Sequence, residues 1–150
     1  MDIRARLEAD RAVVNDMRGG GPARVDTNLS PDALEQAVRE QAGNIDLGHE
    51  TASAYHARKH YREIPVLEKS GNRIRDYLDS AERTIRHGDI TSRTTLDNGS
   101  ERLTITRPKL DANGNQVIRG DKKAFMRAFV IVQPNGDIVM PTYGEQYTSK

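Results

Sequence analysis

The chain has 150 residues, of which 35% are hydrophobic and 30% charged, and it contains no cysteine. This length suits one domain, and no apolar run approaches the roughly 20 residues that cross a bilayer. The absence of cysteine excludes a disulfide framework, a thiolate nucleophile and a cysteine-based zinc site. Residues 1–50 hold 6 Lys and Arg against 10 Asp and Glu, a charge of −4, whereas residues 51–150 hold 17 against 12, a charge of +5. The basic part is compatible with an anionic partner.

The first segment has little apolar content. Its helical candidates are residues 12–14, and it ends at the Gly-Gly-Gly-Pro of residues 19–22, the strongest helix breaker in the sequence. Residues 1–10 alternate charges without a hydrophobic core, which excludes a secretory signal. We therefore predict that residues 1–25 are a linker or accessory segment and that residues 26–150 form the domain.

Three helices are predicted next. The Ser-Pro-Asp start at residues 30–32 supplies an N-cap, a proline at the first helical position and an acid in the first turn, which predicts a helix as far as residue 43. A second helix is predicted over residues 50–61, because the residue before Pro65 is biased away from the helical region. Apolar residues at helical spacing predict a third helix from about 65 to 86. Gly88 is its stop signal.

After the third helix the pattern changes to strands. Strands are predicted over residues 91–96, 102–107, 116–118, 124–132 and 137–143, with turns at residues 97–99, 110–115 and 134–136. The most apolar run, 124–132, is predicted to be central, and Pro141 favours an edge position for the last strand. The predicted fold is therefore α+β, with N-terminal helices followed by a four- to five-stranded antiparallel β-meander.

The densest cluster of reactive side chains lies in the second helix. His56, Lys59 and His60 stand at i, i+3 and i+4, so they project from one helix face. Two imidazoles that titrate near neutrality suit proton transfer, and a fixed cation suits an anionic transition state. The same residues also suit a solvated basic helix face, so the cluster alone leaves both interpretations open.

A metal site is a weaker interpretation of this cluster. The two histidines have the i, i+4 spacing of zinc ligands, and His49 would supply a third nitrogen. However, Ala57 stands where the glutamate of a zincin would be, and Lys59 would repel a dication. The nearest carboxylates, without ligand spacing, belong to Glu50 and Glu63. We therefore predict no metal and no cofactor.

A second cluster lies on the predicted strands. Arg127 alternates with Phe125 and Phe129 and so shares their face, where a charge is either a paired core residue or an active-site cation. Thr142 and Tyr143 end the last predicted strand, and their hydroxyls can hold a phosphate oxygen or can be ordinary strand positions.

The other polar candidates receive structural interpretations. Thr104 and Thr106 share a strand face with Arg102, and we interpret them as structural. His87 stands where a cation favours the C-terminal end of a helix. The sequence contains no P-loop, no GxGxxG, no GxSxG and no aromatic RNA-stacking signature.

The order of these motifs resembles a known family. Residues 56–65, HARKHYREIP, resemble the His-x-x-Lys-His-x-x-Glu signature of small bacterial toxin nucleases. The DYLDSA of residues 76–81 resembles the Tyr-Leu-x-x-Ala element that follows in those proteins, and their closing strand, turn and strand end in a Thr–aromatic pair, like residues 142–143. Over residues 48–147 the chain therefore resembles the barnase–EndoU–colicin–RelE-like (BECR) ribonucleases, which are C-terminal effector domains of contact-dependent and other polymorphic toxins.

The resemblance implies metal-independent cleavage of RNA, often tRNA, in which the ribose 2′-hydroxyl attacks the adjacent phosphorus and leaves a 2′,3′-cyclic phosphate. In this chemistry His56 is the principal acid or base and His60 is its partner or a structural neighbour. Basic side chains neutralise the charge of the transition state, and hydroxyls position the phosphate. The expected site residues are His56, His60, Lys59, Arg127, Thr142 and Tyr143. The resemblance also implies a cognate immunity protein and delivery from a bacterial producer cell into the cytoplasm of a target cell.

Two other functions fit the residues. A non-catalytic protein- or RNA-binding module of a phage or secretion system predicts that His56, Lys59 and His60 lie on a solvated face, apart from Arg127 and Thr142. A metal-dependent nuclease predicts sensitivity to chelators and a carboxylate beside the histidine pair.

Overall fold

The computed structural model of the chain describes residues 23–26, 28–45 and 50–149. The described residues form three α-helices followed by a five-stranded antiparallel sheet, which confirms the α+β class. The helices are α1 (Pro31–Glu40), α2 (Glu50–His60) and α3 (Arg73–His87), and the strands are β1 (Asp89–Thr95), β2 (Glu101–Pro108), β3 (Ile118–Arg119), β4 (Lys122–Val132) and β5 (Ile138–Ser149). The predicted helical candidates at 12–14 and the breaker at 19–22 lie outside the described residues. No helix in the described ranges is long and apolar enough to span a bilayer.

The first two helices begin and end close to the predicted positions. The Ser30 side chain accepts a hydrogen bond from the Ala33 amide and caps α1, with Pro31 at its first position. Helix α2 covers the predicted residues and continues into a 3₁₀ turn, Tyr61–Glu63, before the chain extends at Ile64. The last residue of this turn is Glu63.

The predicted start of the third helix was wrong. The helix begins at Arg73 rather than near residue 65, because Gly71 has a positive φ of 105° and the Asn72 side chain caps the helix by accepting from the Arg75 amide. The preceding turn is held by the carboxylate of Asp76, which accepts hydrogen bonds from the amide and the hydroxyl of Ser70. The helix ends before Gly88, as predicted.

Strand β4 is the centre of the sheet, as predicted. It pairs with β2 on one side and along most of its length with β5 on the other, while β1 lies outside β2 and the short β3 pairs with the start of β4. Strand β3 begins at Ile118, later than predicted, and β5 continues to Ser149, beyond the predicted end. Strand β5 pairs only with β4, and the register shifts near Pro141, which agrees with an edge position.

The two faces of the sheet have different surroundings. Alternate residues of β2 and β4 are buried on one face and join α3 in the hydrophobic core. The strand residues of this covered face include Leu103, Ile105, Ala124, Met126, Ala128 and Val130. The other face, which we call the open face, carries Phe125, Arg127 and Phe129, all partly exposed. The shared face predicted for these three residues is confirmed.

The end of α3 lies directly against the sheet. A Cβ at Gly88 would stand 2.6 Å from the carbonyl oxygen of Thr84 and 2.8 Å from that of Thr106, so no side chain fits there. The Arg39 guanidinium of α1 donates hydrogen bonds to the carbonyl oxygens of Ile85, Arg86 and Gly88. These bonds satisfy carbonyls that a helix end otherwise leaves without partners.

Residues 23–25 pack against the turn between β4 and β5. The Val25 amide donates to the Gly136 carbonyl oxygen, and the Ile138 amide donates to the Ala23 carbonyl oxygen. Ala23 and Val25 are buried in the core. These residues, which the predicted linker includes, therefore contribute to the folded unit.

Candidate active site

The structure brings the three candidate residues of α2 together. The rings of His56 and His60 stack with their centroids 6.1 Å apart. Lys59 is exposed, and its Nζ lies 5.9 Å from the centroid of the Tyr55 ring. One helix face therefore presents two imidazoles and one ammonium group.

The protonation of His56 is shifted toward the neutral form. Partial burial lowers its pKa below the ordinary value of 6.5, and the neighbouring His60 and Lys59 lower it further because they disfavour a second positive charge. A neutral imidazole at physiological pH can accept a proton. His56 is therefore suited to act as a base.

His60 is oriented by a carboxylate. Its Nδ1 is hydrogen-bonded to Oε2 of Glu63, and both side chains are partly buried, with 24% and 20% of their surface exposed. A carboxylate at Nδ1 fixes the ring and leaves Nε2 as the nitrogen available to a substrate. The sequence analysis placed Glu63 in the His-x-x-Lys-His-x-x-Glu signature and weighed it as a poor metal ligand but gave it no catalytic role, although its i, i+3 spacing from His60 was a readable signal for this pair.

Glu63 also places the pair at the edge of the sheet. Its Oε1 accepts a hydrogen bond of 3.0 Å from the Glu145 amide of β5. The hydroxyl of Tyr77 donates to the Tyr143 carbonyl oxygen, at 2.6 Å. Both bonds use backbone groups on the side of β5 that faces away from β4, so the turn after α2 wraps around this edge.

Gly144 has no side chain, which leaves room for the Glu63 carboxylate between this edge and the open face. Gly144 is the cross-strand partner of Arg127, and its neighbours Tyr143 and Glu145 pair with buried residues of β4. A Cβ at Gly144 would stand 2.8 Å from Glu63 Oε1 and 3.9 Å from His60 Nδ1. Since the Cβ positions of cross-strand partners lie about 4.5–5.5 Å apart, Nδ1 of His60 lies within about 10 Å of the Arg127 Cβ. No sequence motif indicated the role of this glycine.

The open face is cationic. The guanidinium groups of Arg127 and Arg102 lie 4.4 Å and 5.2 Å from the centroid of the Phe129 ring. Within the described residues neither arginine forms an ion pair with a carboxylate, and Nε of Arg102 is buried without a hydrogen-bond partner. Lys123 adds a third cation, and against these the described strands place one acidic residue on this face by register, Asp89 of β1 opposite Thr106. This face therefore favours an anionic ligand.

A groove of about 340 Å³ lies on the open face. It is lined by four threonine hydroxyls and by an aromatic, a cationic and an amide side chain. These residues are Thr91, Thr104, Thr106, Thr148, Phe125, Arg127 and Gln146. Thr104 and Thr106, which we interpreted as structural, therefore line a groove on the open face, and the sequence did not indicate this because the strand register was not known.

The predicted pair at the end of the last strand is divided between the two faces. Thr142 is exposed opposite Phe129, on the open face. Tyr143 is fully buried, and its hydroxyl forms hydrogen bonds with Ser80 at 2.6 Å and with Thr84 at 3.0 Å. Burial raises the pKa of Tyr143, although Arg107 and these hydroxyls oppose the shift. Its hydroxyl is thus occupied inside the protein.

The same buried network contains an ion pair that sequence reasoning missed. Arg107 donates two hydrogen bonds of 2.7 Å to the carboxylate of Glu68 and one of 2.6 Å to the Thr84 hydroxyl. Burial alone would raise the pKa of Glu68, but the hydrogen bonds from Arg107 and Ser80 outweigh burial and lower it. The guanidinium of Arg107 therefore stabilises the fold, whereas the arginines of the open face have no such polar partners among the described residues.

Metal binding finds no support in the described side chains. Among them, no group of three His, Asp or Glu residues is arranged to hold a metal ion. His49, the third nitrogen considered in the sequence, lies outside the described residues, and so does the side chain of Glu50.

Comparison with known proteins adds no assignment. No protein-family model, no curated protein and no solved structure matches the chain.

Proposed function

We propose that the protein is a metal-independent endoribonuclease of BECR-like fold that leaves a 2′,3′-cyclic phosphate. The observation that carries this proposal is the position of the His60–Glu63 pair, packed against the backbone of Gly144 and across β5 from Arg127. An RNA strand on the cationic open face would bring a phosphodiester to this edge. The arrangement of helices before an antiparallel sheet and the resemblance of the motifs support the same interpretation.

The two histidines divide the proton transfers. His56, with its lowered pKa, accepts the proton of the ribose 2′-hydroxyl while that oxygen forms a bond to phosphorus. The bond from phosphorus to the 5′-oxygen breaks, and this leaving oxygen takes a proton from His60. A carboxylate partner stabilises an imidazolium during such transfers, so Glu63 assigns the acid role to His60.

Charged and hydroxyl groups complete the proposed site. Lys59 and Arg127 stabilise the charge on the pentacoordinate phosphorus, and the exposed Thr142 positions a phosphate oxygen. Tyr143 supports β5 from the core, because its hydroxyl is bound to Ser80 and Thr84. The preference for tRNA, the immunity protein and delivery into a target cell are proposals that rest on the resemblance alone.

The test is cleavage of total tRNA by the purified protein in excess EDTA. We expect discrete fragments with 2′,3′-cyclic phosphate ends. Removal of one acid–base group costs about 10²- to 10⁴-fold in rate, so His60→Ala and His56→Ala should each lose this much. Glu63→Gln should lose activity because a neutral amide no longer stabilises the charged ring. The matched control is His87→Ala, which removes an exposed histidine at the end of α3.

Two outcomes would replace the proposal. Cleavage that appears only when a divalent metal is added supports a metal-dependent nuclease. Binding of RNA without cleavage in either condition supports a non-catalytic RNA-binding module, the second candidate, which the cationic open face favours by itself. Equal activity of His60→Ala and His87→Ala would remove the His60–Glu63 pair from the site.

A further inference from the structure

The groove on the open face has features that a phosphate-binding surface does not need. A phosphate requires cations and hydroxyls, which Arg127 and the threonines supply. The groove also contains the ring of Phe125 and the amide of Gln146, which are direct cross-strand partners. Their Cβ atoms are therefore about 4.5–5.5 Å apart on one face. A flat aromatic surface beside a free amide is suited to a planar ligand with a polar edge.

The amide of Gln146 is available to such a ligand. The described residues provide no hydrogen-bond partner for its side chain, whereas the side-chain amides of Gln36 and Gln116 donate to Glu40 and to the Ala124 carbonyl oxygen. An amide carries a donor and an acceptor side by side. It therefore matches a partner that presents one acceptor and one donor at the same spacing.

Nucleobases present these groups. A glutamine amide pairs with both N6 and N7 of adenine, and in the same way with N4 and N3 of an unpaired cytosine or with N3 and O4 of an unpaired uracil. Base–aromatic stacking supplies affinity for any base, and the larger ring of adenine stacks over more of an aromatic side chain than a pyrimidine ring does. Phe125 provides the stacking surface, and Arg127, the next open-face residue of β4, is placed for the adjoining phosphate. The groove volume of about 340 Å³ gives room for a single base with part of its sugar.

We propose that this groove is a base-selective subsite for one unpaired nucleotide of RNA, with the base stacked on Phe125 and its edge bound by Gln146, and with a preference for adenine. This inference rests on the proposed function for its choice of RNA as ligand. It adds that the protein selects sequence through its sheet, away from the histidines that perform the chemistry.

Binding is measured without cleavage by using short fluorescent 2′-O-methyl oligonucleotides, which lack the attacking hydroxyl. Homopolymers of adenine, cytosine and uracil are compared by anisotropy with the full chain. We expect the adenine oligomer to bind about 5-fold more tightly than the two pyrimidine oligomers, because its larger ring stacks over more of Phe125. In Gln146→Leu all three oligomers should bind about 5- to 150-fold more weakly, the range expected for the loss of one bidentate base contact.

Two further variants test which side chains are responsible for oligonucleotide binding. Phe125→Leu should weaken binding of all three oligomers about 5-fold or more and should abolish the adenine preference, because it removes the stacking surface but not the amide. Gln36→Leu changes an exposed glutamine of α1 and should leave affinity and preference unchanged. Urea unfolding of each variant separates lost binding from lost folding.

The outcomes distinguish this subsite from the ribonuclease proposal. Equal affinities for the three oligomers, no binding of any of them, unchanged affinities in Gln146→Leu, or an adenine preference that survives in Phe125→Leu would overturn the subsite, even if tRNA is cleaved in EDTA. Selective binding that depends on Gln146, in a protein that cleaves no RNA, would confirm the subsite and overturn the ribonuclease.

Discussion

Two arginines of the same sheet show how differently its faces are used. Arg107 of β2 lies on the covered face, where a bidentate ion pair with Glu68 and the hydroxyl of Thr84 occupy its guanidinium. Arg127 of β4 lies on the open face, where its only described interaction is with the Phe129 ring. A buried charge needs partners, whereas a free charge on an exposed face is available to a ligand. The comparison separates an arginine that stabilises the fold from one whose charge remains available at the surface.

The largest expected decrease in the free energy of unfolding comes from a substitution on the covered face. Arg107→Ala leaves the Glu68 carboxylate buried without its partner, and we expect the free energy of unfolding to fall by about 3–5 kcal/mol. The measurement is urea unfolding, with Arg127→Ala as the matched control. Equal stability of these two variants would contradict the division between the faces.

A smaller decrease in the free energy of unfolding is expected for Tyr143→Phe. The change removes the hydrogen bonds of this hydroxyl to Ser80 and Thr84, each worth about 0.5–1.5 kcal/mol, while Arg107 still donates to both partner hydroxyls. The proposed RNA-cleaving activity of the folded fraction should stay unchanged, because this hydroxyl is occupied inside the protein. A loss of activity much greater than the loss of folded protein would instead assign Tyr143 to catalysis.

Lowering the pH should gradually reduce the free energy of unfolding, because two hydrogen-bonded carboxylates become protonated. The pKa values of Glu68 and Asp76 are lowered in the folded protein from ordinary values of 4.5 and 3.8, because hydrogen bonds to the carboxylates outweigh burial. Their contribution is fully present above these values and is lost as the pH falls through the lower folded pKa values. Urea midpoints measured at falling pH test this, and Glu68→Gln should flatten the dependence. A midpoint that is independent of pH below 4.5 would contradict it.

The smallest effect on stability is expected on the open face. Arg127→Ala should change the free energy of unfolding by no more than about 0.5 kcal/mol, as is usual for exposed positions without buried partners. Its effect should appear in RNA binding, where loss of one phosphate contact lowers the slope of log affinity against log salt by about 0.7. A salt series with oligonucleotides measures this slope. An unchanged slope would remove Arg127 from the phosphate contacts.

Sequence reasoning predicted the parts of the fold that depend on local chemistry. The cap at Ser30, the stop at Gly88 and the shared face of Phe125, Arg127 and Phe129 depend on neighbours in the chain and were predicted correctly. The start of α3 was wrong, because the positive φ at Gly71 outweighed the apolar spacing before it.

The site was less predictable because it depends on which elements meet. His56, Lys59 and His60 are neighbours on one helix and were identified together. The approach of Glu63 to Gly144 joins elements 81 positions apart in the chain and has no local signal. The sequence contained a signal for the burial of Arg107, because Leu103 and Ile105 share its strand face. The aromatic neighbours of Arg127, in contrast, are compatible with a core position as well as an exposed one.

The close contact at Gly88 constrains how this sequence can diverge. Substitution by any larger residue would push the end of α3 away from β2, since two backbone carbonyl oxygens stand where the side chain would begin. Polar residues of the open face carry no such steric restriction and are free to vary with the ligand. Distant relatives should therefore share a glycine directly between the long helix and the first strand more consistently than they share any residue of the proposed RNA-binding face.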